Sequence, residues 1–397
     1  MTDRVPERRG SGRRSATLGA SSVPPMNAAT TGRRERIEKL IRHPWLILTA
    51  WTLLVSLAHI GAHGNSWHYF VTGAKVFVSP DILSLYAHHP ELQMGPLTFV
   101  MVSPFVLLLP WPFGEIVVMV LIAGVGLLVA SEIRKLMANR ASTATWLIVS
   151  LLVVTAWAEL AIRFAHLDDV MALYLSVLGL RLMRSGRPLL SSAMLALAVD
   201  FKPWAVPFVA LLLLAASRKW VPLGALWVAI VLVVWTPFVI GNPGTIGAAK
   251  FGIPIETAST LHFLGLPDHL TPSWDRYAQV VLALALAALA IARKRWAAVF
   301  LIVIVVRLLL DPGTKNYYDV GLVIGAAIFD LALSSAMIPW ATITASALVY
   351  LPSYLLVDVP LVRGIARTAA LLLLLGAAFL WRKPPSESPS PSVQSFS

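Results

Sequence analysis

"WVPLGALWVAIVLVVWTPFVI", residues 220–240, runs for 21 positions without a charged side chain. At about 1.5 Å of rise per residue, roughly 20 apolar residues carry a helix across the hydrocarbon layer of a membrane. Arg218 and Lys219 stand just before the run, and "GNPG" at 241–244 closes it. Working outward, comparable apolar runs lie near 45–62, 96–110, 113–132, 142–163, 170–183, 189–201, 203–217, 277–292, 296–311, 320–336, 338–357 and 363–381. The chain of 397 residues is 57% hydrophobic and 13% charged, and its mean hydropathy is +0.75. That balance excludes an ordinary soluble domain. No run alternates apolar and polar residues as a barrel strand does, so the expected fold class is an all-α polytopic membrane protein.

The charge pattern gives an expected topology. Net charge is +12, but 10 of the 32 Lys and Arg precede residue 45. The excess therefore belongs to a Ser/Pro/Arg-rich head rather than to a nucleic-acid surface. Residues 1–44 read as a disordered basic cytoplasmic tail, 45–381 as the transmembrane domain and 382–397 as a second disordered cytoplasmic tail. A cleaved signal peptide is the competing reading of the head, but the first apolar segment ends in "HIGAHGNSW" without a small-x-small site, and Met26 is an alternative start. If every run crossed, Arg134, Lys135 and Arg140 would lie outside. "PLTFVMVSPFVLLLPWP", residues 96–112, is broken by Pro96, Pro104, Pro110 and Pro112 and is read as a re-entrant or interfacial segment. About twelve transmembrane helices then remain, with both termini inside. The basic turns Arg134/Lys135/Arg140, Arg184/Arg187, Arg218/Lys219, Arg293/Lys294/Arg295 and Arg382/Lys383 become cytoplasmic. Arg276, Arg363 and Arg367 are left near the outer face.

This assignment gathers chemistry on one side. Apart from His43, the histidines (His59, His63, His68, His88, His89, His166, His262, His269) fall on or near the outer face. Asp81, Glu91, Asp168, Asp169, Asp200, Asp268, Asp311 and Asp319 join them, with Arg163, Lys202, Arg307 and Lys315. Cysteine is absent, so no thiolate site or disulfide exists. There is no Walker loop, no GxGxxG and no repeat of 20 to 50 residues, which argues against a nucleotide-driven machine.

Charges at membrane depth are expensive unless paired or hydrated, so they are candidates for function. "RFAHLDDVMAL", residues 163–173, sits where one span ends outside and the next begins. In its plain reading Asp168 or Asp169 caps the following helix. In its functional reading the two acids and His166 work beside Arg163. "AVDFKPWAV", 198–206, sets Lys202 directly before a proline; the lysine either snorkels to the interface or meets a phosphate. "RLLLDPGTKNYYD", 307–319, offers Arg307, Lys315 and the aromatic pair Tyr317 and Tyr318. Asp311 at i+4 neutralises Arg307 in the plain reading; alternatively Arg307 and Lys315 share an anion pocket with Lys202, and the tyrosines form an interfacial or sugar-stacking wall. The first outer loop, residues 63–97, mixes Trp67, His68, Tyr69, Phe70, Phe77 and Tyr86 with polar groups and is long enough for two surface helices that roof a cavity. His88, His89 and Glu91 have only a loose metal spacing. No convincing metal site and no cofactor motif is present.

This order of parts resembles the GT-C superfamily of integral-membrane glycosyltransferases, especially the actinobacterial mannosyltransferases and arabinosyltransferases that use polyprenyl-phosphate sugars. The resembling pieces are the basic head with its first span, "LYAHHPELQMGPL" at 85–97, "HLDDVMALYLSVLGLRLMRSGRPLLSSAMLALAVDFKPWAVPF" at 166–208, and "LDPGTKNYY" at 310–318. The resemblance implies a GT-C-like bundle with an outer first loop. It also implies a polyprenyl-phosphate sugar donor and a glycolipid or polysaccharide acceptor. One departure stands out: GT-C enzymes carry an acid early in the first outer loop, and here that stretch reads "NSWHYF", with Asn65 or Ser66 in its place. Either the base has moved to Asp168 or Asp169, or else to Asp81 or Glu91, or turnover has been lost. The resulting expectation is an inverting transfer, mannose foremost. In it Asp168 or Asp169 is the base, His166 orients or relays, and Lys202, Arg307 and Lys315 hold the departing phosphate. Arg163, Trp67, His68, Tyr317 and Tyr318 line the substrate.

Overall fold

The computed structural model describes residues 43–62, 64–137, 141–266, 270–333 and 338–381. Residues 1–42 of the first tail read from the sequence, all of the second, and His63, Arg140, Asp268 and His269 lie outside them; the first helix begins at Pro44, inside the stretch read as tail. Within the described residues the chain is helical and forms no strand. Twelve α-helices of eleven residues or more follow one another: α1 Pro44–His59, α2 Trp67–Phe77, α3 Pro96–Leu108, α4 Phe113–Leu136, α5 Thr143–Ala158, α6 Leu167–Arg184, α7 Pro188–Phe201, α8 Trp220–Gly241, α9 Asp275–Ala292, α10 Val299–Leu310, α11 Val320–Leu333 and α12 Pro360–Leu380.

Among the described residues, 7 helical segments are long and apolar enough to cross a membrane: Pro44–Ala62, Phe113–Leu136, Thr143–Arg163, Ser217–Gly241, Asp275–Ala292, Asn316–Leu333 and Pro360–Leu380. The protein is a multi-pass membrane protein by that measure. The remaining apolar runs are shorter or broken, except α6, which is 18 residues long but carries Asp168, Asp169, Arg181 and Arg184. Pro96–Leu108 is a single helix with Pro104 inside it, and the run near 338–357 is cut into Trp340–Thr344, a π-helical Ala345–Tyr350 and Pro352–Leu355. Residues 203–214 form a 12-residue 3₁₀ helix containing Pro207. At about 2.0 Å of rise per residue, a 3₁₀ helix carries twelve residues to roughly 24 Å, further than an α-helix of that length.

Burial separates the helices into a centre and a rim. In Thr143–Arg163, 78% of the spanning window is buried, against 11% in Ser217–Gly241. The charge-free run that announces the membrane is therefore the one most open to lipid. Every residue of α10 from Val299 to Leu308 is buried, as expected for a helix apolar on all sides. It lies against α11 at Gly325, where an added Cβ would meet the Leu301 backbone at 2.8 Å.

The bundle has two chemically distinct ends. At one, Glu132 near the end of α4 accepts from Lys135 at 2.8 Å and from Arg181 near the end of α6 at 2.5 Å. Arg134 lies over Trp146 at 4.4 Å, Arg184 over Trp296 at 4.6 Å, and Arg295 donates to the Trp381 carbonyl at 2.7 Å. The basic turns thus collect at a common end. Helix α6, 18 residues long and so about 27 Å, carries the chain to that end from Asp168 and Asp169 at the other. The three arginines that broke the charge pattern are all engaged. Arg276 donates to Gln93 at 3.3 Å, Arg363 to Thr314 at 3.3 Å, and buried Arg367 to Asp319 at 3.2 Å and to the Leu308 carbonyl at 3.4 Å.

The Arg367–Asp319 pair ties α12 to the start of α11 with both side chains out of water. Removing one partner strands a buried charge, which costs about 3–5 kcal/mol. Arg367→Leu is expected to lower stability by that amount in detergent unfolding, and Arg367→Leu with Asp319→Leu to recover most of it. A single variant as stable as the parent would contradict the pairing.

Candidate functional site

A backbone distortion sets up the site. Helix α5 passes into a π turn, Glu159–Arg163, and Ala165, fully buried, then takes a left-handed φ of 52°. Such a conformation costs a non-glycine residue about 1 kcal/mol or more and is commonest where function demands it. The bend drops His166 to the head of α6. It also opens two carbonyls to the turn before α2: Asn65 N–H donates to Arg163 O at 2.9 Å, and Ser66 N–H to Phe164 O at 3.2 Å. Gly64, with φ +47°, makes the turn into this pairing, and a Cβ there would meet Ala165 at 3.1 Å.

Asp168 and Asp169 lie in the first turn of α6. The capping reading is overturned: His166 is the N-cap residue and no side chain caps the helix. Instead both carboxylates are turned inward and buried. One oxygen of Asp168 accepts from Lys202 Nζ and the other faces His166 Nδ1 at 3.2 Å. Lys202 does not snorkel. Asp169 Oδ1 accepts from Trp204 Nε1 at 2.6 Å. Its other oxygen, Oδ2, lies 3.5 Å from His166 Nδ1 and 3.8 Å from Lys202 Nζ, and among the described residues it has no hydrogen-bond partner.

Arg307 completes the cluster. Its guanidinium is held over the faces of Trp204 at 4.1 Å and Tyr318 at 5.0 Å. Its acidic neighbours are farther than a hydrogen bond, with Asp169 at 3.9 Å and Asp311 at 3.8 Å. The i+4 partner expected from the sequence is present, but Asp311 also accepts from Gly313 N–H at 3.0 Å. Cation–π contact in a desolvated setting is worth about 2 kcal/mol and leaves the planar N–H fork available to an anion. His166 is fixed on both faces, stacked on Tyr317 at 3.9 Å and edge-on to Phe70 at 6.2 Å, while its Nε2 lies 2.9 Å from Ser66 Oγ.

Several residues expected here are elsewhere. Lys315 binds Glu256 at 2.7 Å and is largely exposed, so it does not join the Lys202 pocket. Arg163 turns away to Glu159 at 2.8 Å. His68 is exposed and lies tilted against Tyr69 at 3.9 Å, and Trp67 is buried against Phe70 at 6.0 Å. Of the expected aromatic wall, Tyr317 packs on the histidine itself. Asp200 is buried in the last turn of α7 and away from these contacts. His89 pairs with its near neighbour Glu91, at 3.2 Å.

Two groups went unseen in the sequence. Trp204 was hidden as one more apolar residue after Lys202. Glu159, fully buried, gathers His59 at 3.2 Å, Arg163, the Tyr354 hydroxyl and Asn316 at 3.4 Å. Its spacing of four from Arg163 was the available signal. A single 3₁₀ turn, Asn316–Asp319, joins the two clusters: Asn316 meets Glu159, Tyr317 meets His166 and Tyr318 meets Arg307. Among the described residues, His166, Asp168 and Asp169 are the group whose donor atoms come close enough for one metal ion, within 4.8 Å. The Lys202 ammonium already supplies a positive charge to that group.

The chain matches no family model, no curated protein and no solved structure.

At the rim of the site, Glu256 accepts from Thr314 N–H at 3.0 Å and from the Thr314 hydroxyl at 2.5 Å, besides Lys315. Partial burial pushes its carboxyl up, but Lys315 and these hydrogen bonds outweigh that and hold it below the ordinary glutamate value. A carboxyl lowered by folding contributes stability above its unfolded value and loses it as pH falls through the folded one. Hydrogen exchange at Thr314 is therefore expected to quicken as pH falls below the ordinary carboxylate range, beyond the intrinsic trend. Glu256→Gln should show the fast exchange already at pH 7. Equal protection in both proteins would reject the clasp.

Proposed function

We infer that this protein is a membrane glycosyltransferase that moves a sugar, mannose foremost, from a polyprenyl-phosphate donor to a glycolipid or polysaccharide hydroxyl. The carrying observation is the convergence of two acids, a histidine and two cations, drawn from three separated segments, at the end of the bundle opposite the basic turns. By the positive-inside rule the basic end faces the cytoplasm, which puts this cluster at the outer face of the cytoplasmic membrane with both termini inside. A count of about twelve spans, with 96–112 re-entrant, fits that sidedness. The chain order of the parts resembles that of the GT-C superfamily.

The division of labour follows from the contacts. Asp168 is committed to Lys202 and His166, so it serves as the fixed counter-charge. Asp169 keeps one oxygen without a partner and is the base: the acceptor hydroxyl gives its proton to Asp169 Oδ2 as the oxygen attacks the anomeric carbon from the face opposite the phosphate, inverting it. The C–O bond to phosphate breaks and the leaving dianion is stabilised by Lys202 and Arg307. Only two cations remain, since Lys315 is spent on Glu256.

One observation favours a second reading. The charges largely neutralise one another, three acids (Asp168, Asp169, Asp311) against Lys202 and Arg307, as in a lipid-phosphate transporter at rest or a non-catalytic GT-C-like scaffold. A labelled-sugar assay separates them. Purified protein in vesicles is expected to transfer label from a polyprenyl-phosphate sugar, and Asp169→Asn to lose about 10²–10⁴-fold in rate with its melting temperature kept. Asp168→Asn, which strands the Lys202 charge, is expected to lose about 3–5 kcal/mol of stability. Full transfer by Asp169→Asn defeats the base assignment; no transfer by the parent from a panel of donors supports the second reading.

A further inference from the structure

The sugar-transfer reading uses the carboxylates and cations and leaves Ser66 unused. Yet Ser66 Oγ lies 2.9 Å from His166 Nε2, and His166 Nδ1 lies 3.2 Å from Asp168 Oδ1. All three side chains are buried. Nδ1 faces only carboxylate oxygens, which accept and never donate when ionised, so the ring hydrogen is assigned to Nδ1. Nε2 then carries the lone pair, and the Ser66 hydroxyl is the donor. A hydroxyl aimed at a basic nitrogen whose tautomer is held by an acid is the arrangement of an activated serine nucleophile, recognised by geometry whatever the fold or chain order.

The surroundings hold this geometry rather than allow it by chance. Tyr317 and Phe70 clamp the imidazole, and the backbone bonds of residues 65 and 66 to 163 and 164 set the serine against it. No bulk of the side chain and no cap explains the serine: it stands before α2 and caps nothing.

We propose that Ser66 is a nucleophile that takes up an acyl group from a carboxylic ester of a membrane lipid. Ser66 Oγ attacks the ester carbonyl and its proton passes to His166 Nε2. The bond to the lipid alcohol breaks and that oxygen leaves with the proton from Nε2. The acyl-serine ester is then attacked by water or an acceptor hydroxyl, whose proton returns through Nε2 to Ser66. Asp168 stays ionised and steadies the imidazolium. The amide hydrogens of Asn65, Ser66 and Trp67 are spent on Arg163, Phe164 and Gly64, so the charge on the carbonyl oxygen falls to a side-chain cation. Lys202, on the second oxygen of the same Asp168, is the one in the chain of contacts. The buried neighbours Trp67 and Phe70 suit an acyl chain rather than a water-soluble ester.

The test is independent of sugar transfer. The full chain, purified in detergent, is treated with an alkyl fluorophosphonate and, separately, with p-nitrophenyl butyrate, and adducts are mapped by mass spectrometry. An adduct on Ser66 is expected, absent in Ser66→Ala and formed at least 100-fold more slowly in His166→Asn. Ser66→Cys is expected to be alkylated by iodoacetamide faster than its counterpart carrying His166→Asn, which guards against loss of fold in the alanine variant. The proposal is overturned by no Ser66 adduct with either probe, or by a rate unchanged in His166→Asn.

Discussion

A carboxylate that cannot reach water either gives up its charge or has the opposite charge brought to it by the chain. Asp168 is the plainest case: fully buried at the head of α6, it is answered by the Lys202 ammonium from the turn after α7. The consequences spread through the sequence. Lys202 must sit at a break in the apolar stretch, which the following Pro203 enforces, and the 3₁₀ segment after it brings Trp204 onto Asp169 and under Arg307. The contact therefore sets the relation of α6, α7 and α10. It is a weak source of net stability, because desolvation of both ions offsets most of their attraction. Its larger effect is on geometry, since any other arrangement leaves a charge uncompensated.

Seen this way, the two buried networks at this end of the bundle have different characters. Around Glu159 every close group donates to one carboxylate, and the result is a knot that joins α1, α5, the Asn316 turn and the segment carrying Tyr354. Around Asp168 and Asp169 satisfaction is incomplete. Asp169 keeps an oxygen without a hydrogen bond and Arg307 makes no contact with an acid inside 3.8 Å. Buried polar groups are usually paired, so the incomplete network is the one that invites a ligand. The Asn316–Asp319 turn touches both, which couples the rigid knot to the open site.

The strained Ala165 and the π turn before it belong to the same account. A regular continuation of α5 would have carried Arg163 and His166 along one helix, with Arg163 expected beside the acids. Arg163 keeps the i+4 pairing with Glu159 that a helix offers it, while the end of the helix at the π turn and Ala165 delivers His166 to Ser66 and Asp168. A local backbone irregularity thus decides which charged groups meet.

The membrane character, the helical class and the separation of basic turns from the His/Asp-bearing turns were legible in the sequence, because hydropathy and charge are sums over neighbours in the chain. Asp168, Asp169, His166, Lys202 and Arg307 were legible as candidates for the same reason: each is a polar exception within an apolar run. What only the tertiary structure decided was partnership. Lys315 and Arg163 are as basic as Lys202, yet they answer Glu256 and Glu159; Ser66 and Trp204 acquire chemistry only from what stands opposite. Distances of 2.6 and 2.9 Å between residues 35 and 100 positions apart depend on the path of the helices and on a π turn, and neither is written in local composition.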